Sequence, residues 1–223
     1  MNNLFKNMLI GGAALTAFAF ISSLIVAVTN ESTKQQIATN EREALLRSLN
    51  VLIPHDLYDN DLYNDTAALY SPKLLGSKNP VTVYRARKNQ VPVAAIINSI
   101  APDGYNGEIR LLIAILANGT LAGVRVVGHK ETPGLGDAIE ARRSDWIKTF
   151  NERSLSNPLP EKWRVKKDGG EFDQFTGATI TPRAIVKAVF NTLKYYAVHR
   201  EELFNTTPPP LISRETPYAD PRS

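Results

Sequence analysis

From Met8 to Val28 the chain carries no charged side chain and consists almost entirely of apolar or small residues. A helix needs about 20 such residues to cross the hydrocarbon core of a bilayer, and within lipid only a helix or a closed barrel satisfies its own backbone. The run therefore predicts one membrane-spanning helix over 8–28, with the rest of the chain folding outside the bilayer. A secretory signal is the competing reading, because Lys6 precedes the run. Against it, the run is long, and Val26-Ala27-Val28-Thr29 is a poor small-x-small cleavage site. Lys6 and the amino terminus before the span, set against Glu31 and Lys34 after it, give a slight positive-inside bias. The expected topology is a cytoplasmic N-terminus over 1–7 and a large periplasmic portion beyond the span.

Beyond the span, Ile37, Leu45, Leu49 and Leu52 recur near helical spacing among Gln35, Glu41, Arg42 and Glu43. This predicts an amphipathic stalk helix over 29–54, ended by Pro54 and packed on the domain that follows. With 223 residues, 43% of them hydrophobic, the chain is long enough for one substantial core. A polar stretch from His55 to Asn79 leads to strands at Val81–Tyr84 and Val91–Ile97, joined around Lys88-Asn89-Gln90, with Pro92 suggesting an edge position for the second. After the turn cluster Asp103–Gly107, Ile109–Leu116 and Leu121–Val127 flank Asn118-Gly119, a strong hairpin signal. Ile139, Trp146, Ile147 and Phe150 predict a helix over Asp137–Phe150, and Trp163-Arg164-Val165 a short strand. A last helix is expected from Pro182, capped by Thr181, to about Phe204. The fold class expected is α+β, an antiparallel sheet with flanking helices over 55–204. The proline-rich stretch 205–223 reads as a disordered tail.

Several function classes are disfavoured. The formal charge is +4, but 26 basic side chains are scattered among 22 acidic ones rather than gathered into a stripe, so no nucleic-acid partner is expected. There is no cysteine, which removes disulfides, iron–sulfur ligation and covalent haem, so a redox centre must be brought in. His55, His129 and His199 stand in no metal-ligand spacing, and no metal site is expected.

What remains is Thr176-Gly177-Ala178-Thr179-Ile180-Thr181, just before the last helix. Small residues there permit close approach of a ligand, and hydroxyls cluster beside the unpaired N–H groups of a helix start, which suits a phosphate. By itself so short a string reads first as a turn leading into a capped helix. Its context, Gly169-Gly170-Glu171-Phe172-Asp173-Gln174-Phe175-Thr176-Gly177-Ala178-Thr179, resembles the flavinylation motif of the FMN-binding domain family. That family is shared by the G-type component of Rnf/Rsx complexes and the C-type component of Na⁺-translocating NADH:quinone reductase, and the wording here is nearest to the G-type component. His129-Lys130-Glu131-Thr132-Pro133-Gly134-Leu135-Gly136-Asp137 resembles the family's Glu-Thr-Pro-Gly-Leu-Gly loop, and Ala101-Pro102-Asp103-Gly104-Tyr105 precedes it.

The resemblance implies FMN, one per chain, held as a phosphoester on Thr179, with Thr176, Gly177, Ala178 and Thr181 around it. A bare threonine hydroxyl is a poor nucleophile, and no base or metal cluster stands beside Thr179 in the sequence, so the family implies a separate ApbE-type flavin transferase using FAD and Mg²⁺. Asp173 would be an element used during transfer, or simply a turn or solvated carboxylate. The 132–136 bend would bring the Thr132 backbone and the Leu135 side chain to the isoalloxazine. Lys166, with Lys167, would stabilise an anionic flavin or its phosphate, or be a solvated surface lysine. The implied setting is a bacterial inner-membrane complex with other Rnf/Rsx subunits as partners, relaying electrons in an assembly that moves cations. A scaffolding subunit without a redox role is the alternative.

Overall fold

The computed structural model describes residues 2–205, so the proline-rich stretch expected to be disordered lies, from 206 onward, outside the described residues. The chain divides into two units, Met1–Arg47 and Ser48–Ser223.

From Asn2 onward the first unit is helical, being most of α1 (Asn2–Leu52). No proline interrupts the chain before Pro54, and hydroxyls inside the helix return to the preceding turn, as Thr16 Oγ1 does to the Gly12 carbonyl at 2.9 Å. Phe5–Lys34 is long and apolar enough to cross a membrane, with mean hydropathy 2.2.

The second unit is built on a five-stranded sheet of β1 (Thr66–Leu69), β2 (Val81–Lys88), β3 (Val91–Gly104), β4 (Gly107–Leu116) and β5 (Leu121–Gly128), in sequence order and antiparallel throughout. The hairpins form where the turn chemistry indicates. Asn89 and Gln90 both adopt positive φ (50° and 66°) between β2 and β3, as a two-residue hairpin turn requires. Gly119 (φ 87°) turns β4 into β5, and Asn118 Oδ1 accepts the Thr120 N–H at 3.0 Å. Contrary to the sequence expectation, β3 is the central strand. Pro92 is tolerated because the ladder to β2 is already irregular there, shifting register between Ala86 and Arg87.

One sheet face packs on α3 (Ile180–Asn205). Alternate β4 residues Ile109, Leu111, Ile113 and Ile115 join Ile185, Val189 and Leu193 of α3 in the main core, each such side chain contributing about 1.5–3 kcal/mol on full burial. On the other face Ile96 and Leu112 are buried, as are Leu49 and Leu52 from the end of α1. Leu52 lies so near Gly123 of β5 that a Cβ there would stand 3.0 Å from its Cδ2. The carboxyl end of α3 is fastened by β2: Arg85 donates to the Leu203 carbonyl at 3.2 Å and Arg87 to that of Phe204 at 2.6 Å. Asp65 pairs with both guanidinium groups.

Three other expectations are corrected. The helix foreseen over Asp137–Phe150 is two 3₁₀ turns, Gly136–Ile139 and Trp146–Phe150. Ile139, Trp146, Ile147 and Phe150 are nonetheless all buried. Between the turns the Ser144 hydroxyl donates to the Ala138 carbonyl at 2.6 Å and accepts the Trp146 N–H at 3.2 Å, a side-chain bond that competes with a continuous helix. No strand forms at Trp163-Arg164-Val165. Val165 makes one isolated bridge with Phe172 between the 3₁₀ turns Pro160–Lys162 and Lys166–Asp168. Finally, α3 starts at Ile180 rather than Pro182. Thr179, whose carbonyl accepts the Arg183 N–H at 3.3 Å, occupies the cap position foreseen for Thr181. Neither β1 nor the single-turn α2 (Pro72–Leu75) is foreshadowed by the polar stretch in which both lie.

Candidate functional site

The amino end of α3 forms one wall of a cleft of about 210 Å³, lined by Tyr105, Glu131, Thr132, Leu135, Gly136, Gly177, Ala178, Thr179, Ile180 and Thr181. The turn between β3 and β4 and the loop after β5 supply the others.

The loop after β5 is closed by its own backbone. The Thr132 carbonyl accepts the N–H groups of Leu135 (3.1 Å) and Gly136 (3.0 Å), and Asp137 Oδ1 accepts that of Gly134 (2.8 Å). Gly134 has φ 78°, which glycine adopts without steric cost. Gly136 answers to a close approach instead, since a Cβ there would stand 2.9 Å from both Cβ and Oε2 of Glu131. The loop leading into α3 is pinned from below: Trp146 Nε1–H donates to the Asp173 carbonyl at 2.7 Å, and its ring meets Phe175 edge-on at 5.2 Å.

Thr179 is half-buried, and among the described residues its hydroxyl has no hydrogen-bond partner. The amide N–H groups of Thr179, Ile180 and Thr181 likewise donate to nothing in the described chain. They sit at the positive end of a 26-residue helix with no acidic side chain in its first turn. Arg183 in that turn is engaged elsewhere, forking onto Asp168 at 2.7 and 2.8 Å, and its hydrogen bond holds the Asp168 carboxyl below the usual range. An unpartnered hydroxyl, free N–H donors and a helix dipole fit a phosphate. Tyr105, Leu135 and Ile180 stand on the rim 65%, 47% and 43% exposed, which fits a flat, largely apolar ring.

The cleft thus gathers Thr132, Leu135, Gly177, Ala178, Thr179 and Thr181. It does not gather the remaining candidates. Thr176 is exposed one step outside it. Lys166 and Asp173 pair with each other at 2.6 Å, both more than half exposed, so neither points into the cleft as a free charge.

Gly136 is one of the two glycines of the expected 132–136 bend, while Glu131, Tyr105 and Ile180 stand within the motif strings and Asn106 in the 103–107 turn cluster without an expected part in the site. Glu131 is the most consequential. It is 5% exposed, accepts the Thr181 hydroxyl through Oε2, and accepts the Asn106 N–H through Oε1 at 3.1 Å. Its position directly before Thr132 was the available signal, but burial is a property of the fold.

Behind the loop, the Glu131 N–H donates to His129 Nδ1 at 3.0 Å, so the ring proton resides on Nε2 and points to Glu140 Oε1 at 2.8 Å. Glu140 also accepts from Arg142. That hydrogen bond, opposed by burial and aided by His129, holds the Glu140 carboxyl at about 2 against an ordinary 4.5. A depressed carboxyl stabilises the fold fully above its unfolded value, and that stability is lost as pH falls through the folded one. The unfolding temperature is therefore expected to fall between pH 4.5 and about 2. Glu140→Gln should flatten part of that fall, by about 1 kcal/mol once exposed Arg142 is discounted for solvent screening. A profile identical to wild type would contradict the assignment.

The FMN-binding domain family matches residues 104–194, and the RnfG N-terminal region matches residues 1–52. The G-type component of the ion-translocating oxidoreductase complex of Shewanella amazonensis is 46% identical over 200 residues, covering 90% of this chain and 93% of the relative. The same component from Pseudoalteromonas atlantica is 46% identical over 88% of this chain and 91% of its own length. That of a Pseudomonas aeruginosa strain is 46% identical over 89% and 92% respectively. A cleft that fits a phosphate and a flat ring, in a domain of the FMN-binding kind and in a chain this similar over about nine-tenths of its length, places it plainly: the chain belongs to the RnfG family, the G-type components of ion-translocating oxidoreductase complexes.

Proposed function

We propose that this chain is a membrane-anchored electron carrier whose FMN, one per chain, is joined by a phosphoester to Thr179. The observation that carries the reading is the unpartnered Thr179 hydroxyl at the head of α3, beside free N–H donors in a cleft. When bound, FMN supplies an acceptor and donor of one or two electrons. The protein's work is to hold it. The Thr179, Ile180 and Thr181 N–H groups bind the phosphate oxygens, and Leu135 with the Thr132 backbone positions the ring.

No described residue accepts the Thr179 hydroxyl proton, and the nearby carboxylate, Glu131, is occupied by Thr181 and Asn106. This supports attachment by a separate ApbE-type transferase acting on FAD. The Thr179 oxygen attacks the FMN-side phosphorus as the pyrophosphate bridge breaks. AMP leaves, and the hydroxyl proton passes to a base of the transferase. The full chain made with such a transferase should give a band fluorescent under ultraviolet light after denaturing electrophoresis. A colourless band would favour a scaffolding role instead.

The remaining subunits of an ion-translocating oxidoreductase complex are the partners, with electrons relayed among them and ion movement belonging to the assembly. α1 anchors the chain in the bacterial inner membrane. The Lys6 side is cytoplasmic and the FMN domain periplasmic, a reading supported by the charge bias across the span. Because the chain has no cysteine, a single cysteine at exposed Val198 reports sidedness. It should react with a membrane-impermeant thiol reagent from the periplasm of intact cells, and labelling only after lysis would reverse the orientation.

A further inference from the structure

The floor of the cleft carries a carboxyl group that the attachment reading does not use. Glu131 is buried, and among the described residues no lysine, arginine or histidine side chain forms an ion pair with it. Burying a carboxylate without a cation is costly, so its hydrogen bonds bear closely on what it does. The three cleft walls meet on it. Oε2 accepts the Thr181 hydroxyl from the first turn of α3, and Oε1 accepts the Asn106 N–H from the β3–β4 turn at 3.1 Å. The residue itself begins the 131–137 loop, where Asn106 Nδ2–H donates to Thr132 Oγ1 at 3.1 Å. Two glycines give the carboxylate room. A Cβ on Gly136 would stand 2.9 Å from Oε2, and one on Gly104 3.0 Å from Oε1.

We infer that Glu131 is the positioning residue of the attachment site, and that its buried charge lowers the reduction potential of the flavin held there. The inference rests on FMN being bonded to Thr179. Through Thr181 the carboxylate fixes the first turn of α3, and with it the Thr179 hydroxyl presented to the transferase. A negative charge at the floor of a poorly screened cleft would oppose the addition of electrons to a flavin held in that cleft.

The test uses the full chain made with the flavin transferase, in wild-type, Glu131→Gln and Thr181→Val forms, each checked for folding by circular dichroism. Glu131→Gln keeps the side-chain shape and removes the charge. Its loaded form should show a midpoint more positive than wild type, by the equivalent of about tenfold in the ratio of reduced to oxidised flavin, about 30 mV for a two-electron couple. Thr181→Val keeps the charge and removes the donor. It should load several-fold more slowly without a raised midpoint. A loaded Glu131→Gln chain with the wild-type midpoint overturns the inference. If Glu131→Gln does not fold, Thr181→Val decides, and a wild-type loading rate overturns the positioning role. A wild-type chain that takes no flavin on Thr179 overturns the attachment reading, and this inference with it.

Discussion

Thr179→Ala is expected to abolish covalent flavin, leaving no fluorescent band from full chain made beside a transferase, while the protein still folds. The two halves have separate causes. The hydroxyl oxygen is the atom that would bond phosphorus, and alanine has nothing to replace it. The fold loses little, because that hydroxyl makes no hydrogen bond in the described chain. It could cap only N–H groups near the helix start, and Pro182, one of those positions, has none. Replacing an N-cap threonine by alanine costs about 0.5–2 kcal/mol, and here the low end applies. Thr176→Ala is the control, since Thr176 is exposed outside the cleft, and it should keep the band. A band that persists in Thr179→Ala and vanishes in Thr176→Ala would move the attachment site.

Arg85→Met should have the largest effect on stability, about 3 kcal/mol or more, read as a shift in the denaturation midpoint. Arg85 is fully buried, with Nη2 2.6 Å from Asp65 and another guanidinium N–H on the Leu203 carbonyl at 3.2 Å. Methionine fills much of the volume but leaves the carbonyl without that donor and Asp65 with Arg87 as its remaining ion-pair partner. Removing one member of a buried pair costs about 3–5 kcal/mol. Since α3 carries Thr179 at one end and Arg85 holds the other, flavin loading should fall as well, in proportion to the unfolded fraction. A loss below about 1 kcal/mol would mean that Arg87 alone secures that end.

The strands and their turns were legible because alternation and turn chemistry are local: Asn118-Gly119 specifies a hairpin wherever it sits. So was the helix that carries Thr179, through its apolar stripe. What failed was set by side chains reaching across the fold. Ser144 broke a helix that the spacing of Ile139, Trp146, Ile147 and Phe150 had suggested. Thr181 bonds to Glu131 rather than capping α3, and the helix starts two residues earlier than expected. Pro92 pointed to an edge, yet a register shift accommodates it in the central strand. At the site, Thr179 and the 132–136 loop were found by motif resemblance, whereas their convergence on one cleft is a tertiary fact. Glu131 heads the Glu-Thr-Pro-Gly-Leu-Gly string, but nothing in Lys130-Glu131-Thr132 distinguishes a buried carboxylate from a solvated one. The Lys166–Asp173 pair was the converse, two charges read as separate contributors that engage each other.

Mass spectrometry of the wild-type chain, produced with a flavin transferase and digested with trypsin, locates the attached flavin at a single residue. Cleavage after Lys167 and Arg183 releases the peptide Asp168–Arg183, which contains Thr176, Thr179 and Thr181. This peptide should gain the mass of one FMN less one water, with fragment ions placing the gain on Thr179. An unmodified peptide, or a gain placed on Thr176 or Thr181, would contradict attachment at Thr179.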